Sequence, residues 1–325
     1  MPSPIFGKRW ASTACSMHPI SIFFPMAKQM KTWKPITPPP DITGSGFWVG
    51  VAGYSYDDWV DRFNPPEKKT AESEKDLERF RFYQRYFSFV EINRTFNEEP
   101  SFDFFDELEK NSKVEMRFAV RVHRDISHTD NWDPVPKIDL MHRLMSAVVP
   151  IVETGKFYSF LIQLEDRVHR SQQALDYFLT IASEALERNF DVHIEFRHAS
   201  WHNSYPLQVL KNNGIGVCNA EIPPMSHVFP LKSYATTEKA YVRYNGLNFQ
   251  AWRSNRKKAK DERADYLYTE AQIEERIQGQ IGLVHKASQV AVVYTNTHQS
   301  KAILNALQNI RQLKQYFEFA QVLST

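Results

Sequence analysis

The chain reads as a single-domain (β/α)8 TIM barrel with one irregular crossover, and three observations predict it. From residue 47 onward short β-rich runs alternate with helical patterns, the mark of a parallel sheet with crossover helices. The runs number eight. Late in at least five of them the side chains that must face inward are polar, as in a barrel whose site lies at the C-terminal ends of its strands.

The runs are Phe47–Tyr54, Phe89–Thr95, Met116–His123, Phe157–Leu164, Asp191–Arg197, Gly214–Asn219, Ala240–Asn245 and Gln289–Asn296. Helix periodicity fills most of the gaps. After the fourth run, Leu175, Phe178, Leu179, Ala182 and Leu186 form one stripe. After the seventh, Ile273, Ile277, Ile281 and Val284 do the same, opened by Thr269 with Gln272 three residues on, a capping-box pattern. Ile303, Ala306, Leu307, Ile310 and Leu313 mark the last helix. One crossover departs from this. Glu221 to Lys239, between strands six and seven, is Pro-rich and shows no helix period. An open doubly wound sheet would carry a Gly-rich nucleotide turn after its first strand, and the sequence has none.

Residues 47–325 therefore form the expected barrel domain, and residues 1–46 stand apart. The first forty contain no Asp or Glu and end on Thr37-Pro38-Pro39-Pro40. The segment is expected to be a disordered tail, or to precede a true start at Met26 or Met30; a transit peptide is the alternative. Lys and Arg (40) exceed Asp and Glu (38) by only two, so any basic surface must be local. Two cysteines, Cys15 and Cys218, are too few for a disulfide framework and point to a reducing, cytoplasmic setting. No stretch approaches the roughly 20 apolar residues of a membrane span.

Side chains alternate faces along a strand, so parity sorts the runs. Val90 and Ile92 oppose Glu91 and Asn93; Phe118, Val120 and Val122 oppose Arg121 and His123. Ile194 and Phe196 oppose Glu195 and Arg197; Val242 and Tyr244 oppose Arg243 and Asn245. The apolar sets belong under the helices, which sends the polar sets inward. Gln163, Asn296 and Tyr54 are expected to join them. Arg121, Arg197 and Arg243 suit a phosphate or carboxylate, which guanidinium binds through paired donors. Glu195 and Glu91 are the expected general acid and base, because carboxylates in different charge surroundings acquire separated pKa values. The same five side chains would also satisfy a buried ion network with no catalytic part.

Gly53-Tyr54-Ser55-Tyr56 with Trp59, Val90-Glu91-Ile92-Asn93-Arg94-Thr95-Phe96, and Phe118-Ala119-Val120-Arg121 ahead of Ile126-Ser127-His128 resemble the YecE-like family, domain of unknown function 72. Glu195-Phe196-Arg197-His198-Ala199-Ser200-Trp201 is similar to its E-F-R-x-x-S-W signature, and Tyr241-Val242-Arg243-Tyr244-Asn245-Gly246 to its Y-V-R-x-H-G segment. The resemblance runs in order from about Phe47 to the last helix. It implies a TIM-like barrel distantly similar to xylose isomerases and endonuclease-IV-type enzymes, with no established activity, and it adds His198 and Trp201 to the expected ligand-binding set. Arg121 replaces the family's usual Lys, and Asn245 its His, which removes an acid/base group from the mouth. Its L-F-Q-L-P-P stretch reads Leu161-Ile162-Gln163-Leu164-Glu165-Asp166 here.

A divalent metal would have to use Glu91, His123, Glu195 and His198, but three arginines share that space and the sequence shows no tight Asp/Glu/His cluster, so no cofactor is expected. The basic loop 252–263, with Arg256, Lys257, Lys258 and Lys260 beside Trp252, Tyr266 and Tyr268, has the makings of a nucleic-acid grip. No G-x-S-x-G elbow and no Gly-rich phosphate loop is present. The expected function is binding of a phosphate-bearing or other small anion, with acid/base chemistry on a phosphodiester or sugar phosphate. A non-catalytic nucleic-acid-binding barrel that uses the basic loop is the rival.

Overall fold

The computed structural model describes residues 34–67, 71–99, 101–254 and 262–324. Eight parallel strands close into a barrel in sequence order: β1 Phe47–Ala52, β2 Phe89–Ile92, β3 Arg117–Arg121, β4 Phe157–Gln163, β5 Val192–Glu195, β6 Gly216–Glu221, β7 Lys239–Tyr244 and β8 Gln289–Tyr294. β8 pairs back onto β1 from Phe47↔Val290 to Val51↔Tyr294. Closure leaves no free sheet edge.

The crossovers carry helices α1 Glu72–Tyr83 and α2 Phe102–Lys110, then α3 Arg124–Ser127, α4 Val135–Ala147 and α5 Val149–Glu153 together between β3 and β4. α6 Gln172–Leu186 and α7 Ser204–Asn212 follow. α8 Phe249–Arg253 and α9 Glu270–Val284 lie between β7 and β8, and α10 Lys301–Ser324 ends the chain. No helix bridges β6 to β7, as the Pro-rich sequence predicts. Thr269 and Gln272 form the expected capping box on α9, each side chain accepting from the other's backbone N–H. The third stripe is buried throughout, from Ile303 to Leu313. On α6 Leu175, Phe178 and Ala182 of the predicted stripe are buried, Leu179 and Leu186 only partly, and Ala174, Tyr177, Ile181 and Ala185 join the buried face.

Strand boundaries differ most at β6. Gly214 ends the α7 turn in a left-handed conformation (φ 68°) and the Ile215 N–H still donates to Leu210, so pairing begins only at Gly216. Part of the segment expected to stand apart is described: Ile42 is buried, and Thr43–Ser45 forms a 3-10 turn leading into β1. No helix among the described residues is long and apolar enough to cross a membrane.

Candidate anion cleft at the strand C-terminal ends

An aromatic plug fills the lower barrel. Tyr158 stands at its centre, with Phe89 (ring centroids 5.2 Å), Tyr241 (6.0 Å) and Trp48 (6.3 Å) around it. Its hydroxyl donates to the Ala240 carbonyl at 2.7 Å. His193 joins from β5, its ring held between Ser159 Oγ (2.6 Å) and the Lys239 carbonyl (2.9 Å). That ring needs a glycine opposite: a Cβ on Gly216 would lie 2.3 Å from it. Burial pushes the His193 pKa down to about 4, so the plug is uncharged near neutral pH.

One residue further along the inward-facing series, the plug gives way to ions. Arg243, on β7, reaches across to β2 and donates through Nε (2.8 Å) and Nη2 (2.9 Å) to the two oxygens of Glu91. Its Nη1 donates to Gln163 Oε1 at 2.8 Å and to Glu195 Oε2. The plug supplies one bond upward, from the Tyr241 hydroxyl to Glu91 at 2.6 Å. Glu195 Oε1 is in ion-pair contact with Arg197 Nε, although neither atom has the alignment of a hydrogen bond. Both carboxylates are fully buried. Burial disfavours the charge on Glu195, but Arg197, Arg243 and Arg121 outweigh it and hold its pKa below the usual carboxylate range. Burial also opposes the charge of Arg243, and Glu195 and Glu91 more than compensate, raising its pKa.

Above this layer opens a cavity of about 560 Å³. Arg121, Arg197 and Arg243 line it together with Asn93, Gln163 and Asn245, which brings six of the predicted site residues to one space. Glu91 and Glu195 lie beneath it and do not reach its wall. Arg197 Nη2 approaches Asn245 Oδ1 at 3.4 Å, and Asn245 is fixed by the Glu221 carbonyl and Thr295. Arg121 differs from the other two. Its guanidinium lies 3.6 Å from the centre of the Phe96 ring, and its Nε is buried without a hydrogen-bond partner. Burial, then the nearby Arg243, pushes its pKa down to about 9. His128 lines the cavity beside it, with Nδ1 2.9 Å from Ser127 Oγ. Burial and the Arg121 charge hold the His128 pKa near 4, leaving a neutral imidazole.

Four expected residues lie outside this cavity. Asn296 shares the parity of Val292 and Tyr294, faces the helices, and donates to the Tyr266 carbonyl and Asn305; Thr295 lines the cavity instead. Tyr54 would point inward by parity, but Gly53 adopts φ 76° and turns the chain, so Tyr54 packs on Phe80 (5.1 Å) beside a neighbouring cavity. Trp201 stacks on Phe196 at 4.6 Å and donates to the Val168 carbonyl, a packing role. His198 stacks on His169 at 3.7 Å, and its Nδ1 accepts from the Ser200 N–H. Among the described residues no group of three or more His, Cys, Asp or Glu side chains could hold a metal ion. His123, the other candidate ligand, caps α3 through Nδ1.

Parity alone does not reveal four contributors: Phe96 and His128 on the β2–β3 side, and Trp252 and Arg263 past β7. Trp252 lies between two cations, with Arg263 Cζ 4.7 Å and Arg197 Cζ 5.5 Å from its ring. Tyr241, by contrast, was legible, since it shares the parity of Arg243. The basic loop is described only at its ends: Arg256, Lys257, Lys258 and Lys260 lie outside the described residues.

Comparison with known proteins agrees with this architecture. A DUF72 family protein of Thermotoga maritima superposes with a TM-score of 0.72 at 24% identity, covering 82% of this chain and 99% of that one. A DUF72 family protein of Enterococcus faecalis gives a TM-score of 0.70 at 20% identity, covering 82% and 95%. Both likenesses are of fold. No curated protein matches the chain. Residues 48–323, which hold the barrel strands from the second residue of β1 onward and every side chain of the cleft, match the family described as protein of unknown function DUF72, and the chain belongs to that family.

Proposed function

We propose that the cleft binds a phosphate-bearing small molecule and that Arg121 is its first anion contact. The observation that carries this is the state of Arg121: among the described residues it has no ion pair and no side-chain hydrogen bond, yet it is half-buried with a dry Nε and opens on the cavity. A half-buried charge without a counter-ion is unfavourable for the fold, so its retention calls for a reason outside the fold. Three guanidiniums against two carboxylates leave the layer one positive charge in excess. A cavity of about 560 Å³ matches the size range of small-molecule sites.

In this reading Glu91 and Glu195 act through the guanidiniums they hold, aiming Arg243 and Arg197 at the ligand. Among the proton-exchanging groups that line the cavity, His128 stands beside Arg121. An anion bound beside it favours the imidazolium and raises its pKa from about 4 toward the working range of an acid/base catalyst. Chemistry on a phosphodiester or sugar phosphate fits that arrangement.

The test is calorimetric titration of inorganic phosphate into the parent and into Arg121→Met. Phosphate affinity should fall at least tenfold while the unfolding midpoint stays level or rises. Equal phosphate affinity in the two proteins would overturn the proposal.

A further inference from the structure

The unsatisfied donors of the cleft fall into two groups on different sides of the barrel mouth. On the β2–β3 side stand Arg121, Phe96 and His128. On the β5–β7 side stand Arg197, Trp252 and Arg263. In the closed strand order β3 and β7 are diametrically opposed, four strands apart either way round. Arg121 Nε on one side, and Arg263 Nε and Trp252 Nε1 on the other, are buried without a hydrogen-bond acceptor, whereas Arg197 Nε lies against Glu195 Oε1. Arg197 itself is only 6% exposed.

Buried donors are normally satisfied, so three of them around one cavity describe the acceptors that are to arrive. Guanidiniums repel one another, and on the β5–β7 side Arg197 and Arg263 are assembled about Trp252 against that repulsion. Between the two groups Arg243 is taken up by Glu91, Glu195 and Gln163, and the remaining cation of the lining, Arg124, begins α3 on the Arg121 side. Neutral amides flank this space, Asn93 with a buried unpartnered Oδ1 and Asn245, while the carboxylates of the lining, Glu165 and Asp166, follow β4, with Glu165 paired to Arg167. The aromatic rings do not change this reading, since Phe96 stacks with Arg121, and Trp252 with Arg263 and Arg197.

From this arrangement we infer that the ligand carries two anionic groups, one at each end of a short hydroxylated spacer. Arg121 with His128 receives one, and Arg263 with Arg197 and Trp252 Nε1 receives the other. The spacer hydroxyls meet Asn93 and Asn245. This deepens the anion-cleft proposal and rests on it.

Matched probes separate the two levels. Inorganic phosphate, fructose 6-phosphate and fructose 1,6-bisphosphate are titrated calorimetrically into the parent, Arg121→Met, Arg263→Met and Trp252→Phe, each checked for native circular dichroism. The bisphosphate should bind the parent at least tenfold more tightly than the monophosphate. Arg263→Met should erase that advantage while changing monophosphate affinity less than threefold, because the Arg121 end remains. Trp252→Phe, which keeps the ring and removes only the Nε1 donor, should reduce the advantage and covers the case in which Arg263→Met does not fold. Bisphosphate and monophosphate binding within twofold of each other in the parent, or an advantage that survives both variants, would overturn the two-anion inference while leaving the single-anion cleft intact. No heat with any of the three probes would overturn both.

Discussion

Replacing Glu195 by Gln tests whether the ion layer is as dry and as coupled as its geometry implies. Glu195 is fully buried, with Oε1 against Arg197 Nε and Oε2 accepting from Arg243 Nη1. A glutamine keeps the shape but only one acceptor oxygen. If that oxygen stays with Arg243, the amide NH2 faces Arg197 Nε, donor against donor. The layer passes from one excess positive charge to two. Breaking one side of a buried pair costs roughly 3–5 kcal/mol. Arg243 keeps both of its bonds to Glu91, so the loss falls on Arg197 and the lower end, about 3 kcal/mol, is expected. That is a large part of the roughly 5–15 kcal/mol that stabilises a typical protein, and leaves the variant folded at 25 °C.

The assay is urea unfolding followed by tryptophan fluorescence, in chloride and with millimolar sulfate at matched ionic strength. Sulfate bound above the layer supplies the negative charge that the variant lacks, so it should stabilise Glu195→Gln more than the parent. Arg121→Met combined with Glu195→Gln separates this from the general salting-in or salting-out of a sulfate solution: the extra increment should vanish there. A loss below about 1 kcal/mol would mean that the pair is solvated. An equal sulfate increment in parent and variant would mean that the layer and the cavity are independent, and the reasoning that joins them would fall.

Acid should destabilise the fold in two stages. His193 and His128 have folded pKa values near 4 against an ordinary 6.5, so the unfolded chain takes up protons that the folded one refuses, and stability falls as pH drops through that window. At about 1.4 kcal/mol per pH unit the buried His193 alone contributes roughly 3 kcal/mol, which His193→Gln should remove from the slope. Glu195, whose folded pKa is depressed, adds a second loss below the ordinary carboxylate pKa, absent in Glu195→Gln. Gly216→Ala sets a Cβ 2.3 Å from the His193 ring and should prevent folding, whereas Gly216→Ala with His193→Ala should restore a cooperative transition; failure of the pair would place the clash elsewhere. Thr269→Ala removes one half of the α9 cap and should lower stability by about 1 kcal/mol with phosphate affinity unchanged, a control for effects that travel through the fold.

The strands were legible where one face is apolar and the other is not. Glu91, Arg121, Glu195, Arg197 and Arg243 sit between Val, Ile and Phe of opposite parity, and the structure turns all five toward the barrel axis or its mouth. Alternation is silent where both faces are apolar. β8 is buried almost end to end, so Ala291 and Val293 inside are indistinguishable by type from Val290 and Val292 outside, and Asn296 was taken for an inward residue. Tyr54, expected to face inward, is turned away for a different reason: parity counts residues and does not register a left-handed glycine that ends the strand. Trp252 and Arg263 reach the cleft from a segment past β7 with no period at all, so only their composition, basic and aromatic, marked them. His128 stood in a recognisable motif, but nothing local indicates that three-helix packing between β3 and β4 returns it to the rim.

The ion layer is not what packing alone would select at that height. Glu91 is in register with Ala119, and Arg243 with Ala220 and Val293, so small apolar side chains already occupy neighbouring inward positions. One residue pair lower, the same barrel is closed by Phe89, Tyr158 and Tyr241. A buried ion pair rarely outperforms an apolar filling of equal volume. What the layer does supply is direction. Glu91 grips Arg243 through two parallel bonds, Tyr241 braces Glu91 from below, and Glu195 ties Arg243 to Arg197. The guanidiniums at the cavity floor therefore hold their orientation before any ligand arrives, and a site whose dipoles are fixed in advance need not reorganise when charge appears in it. Arg121, stacked on Phe96 and left without a carboxylate, is the cation that this arrangement leaves for the ligand.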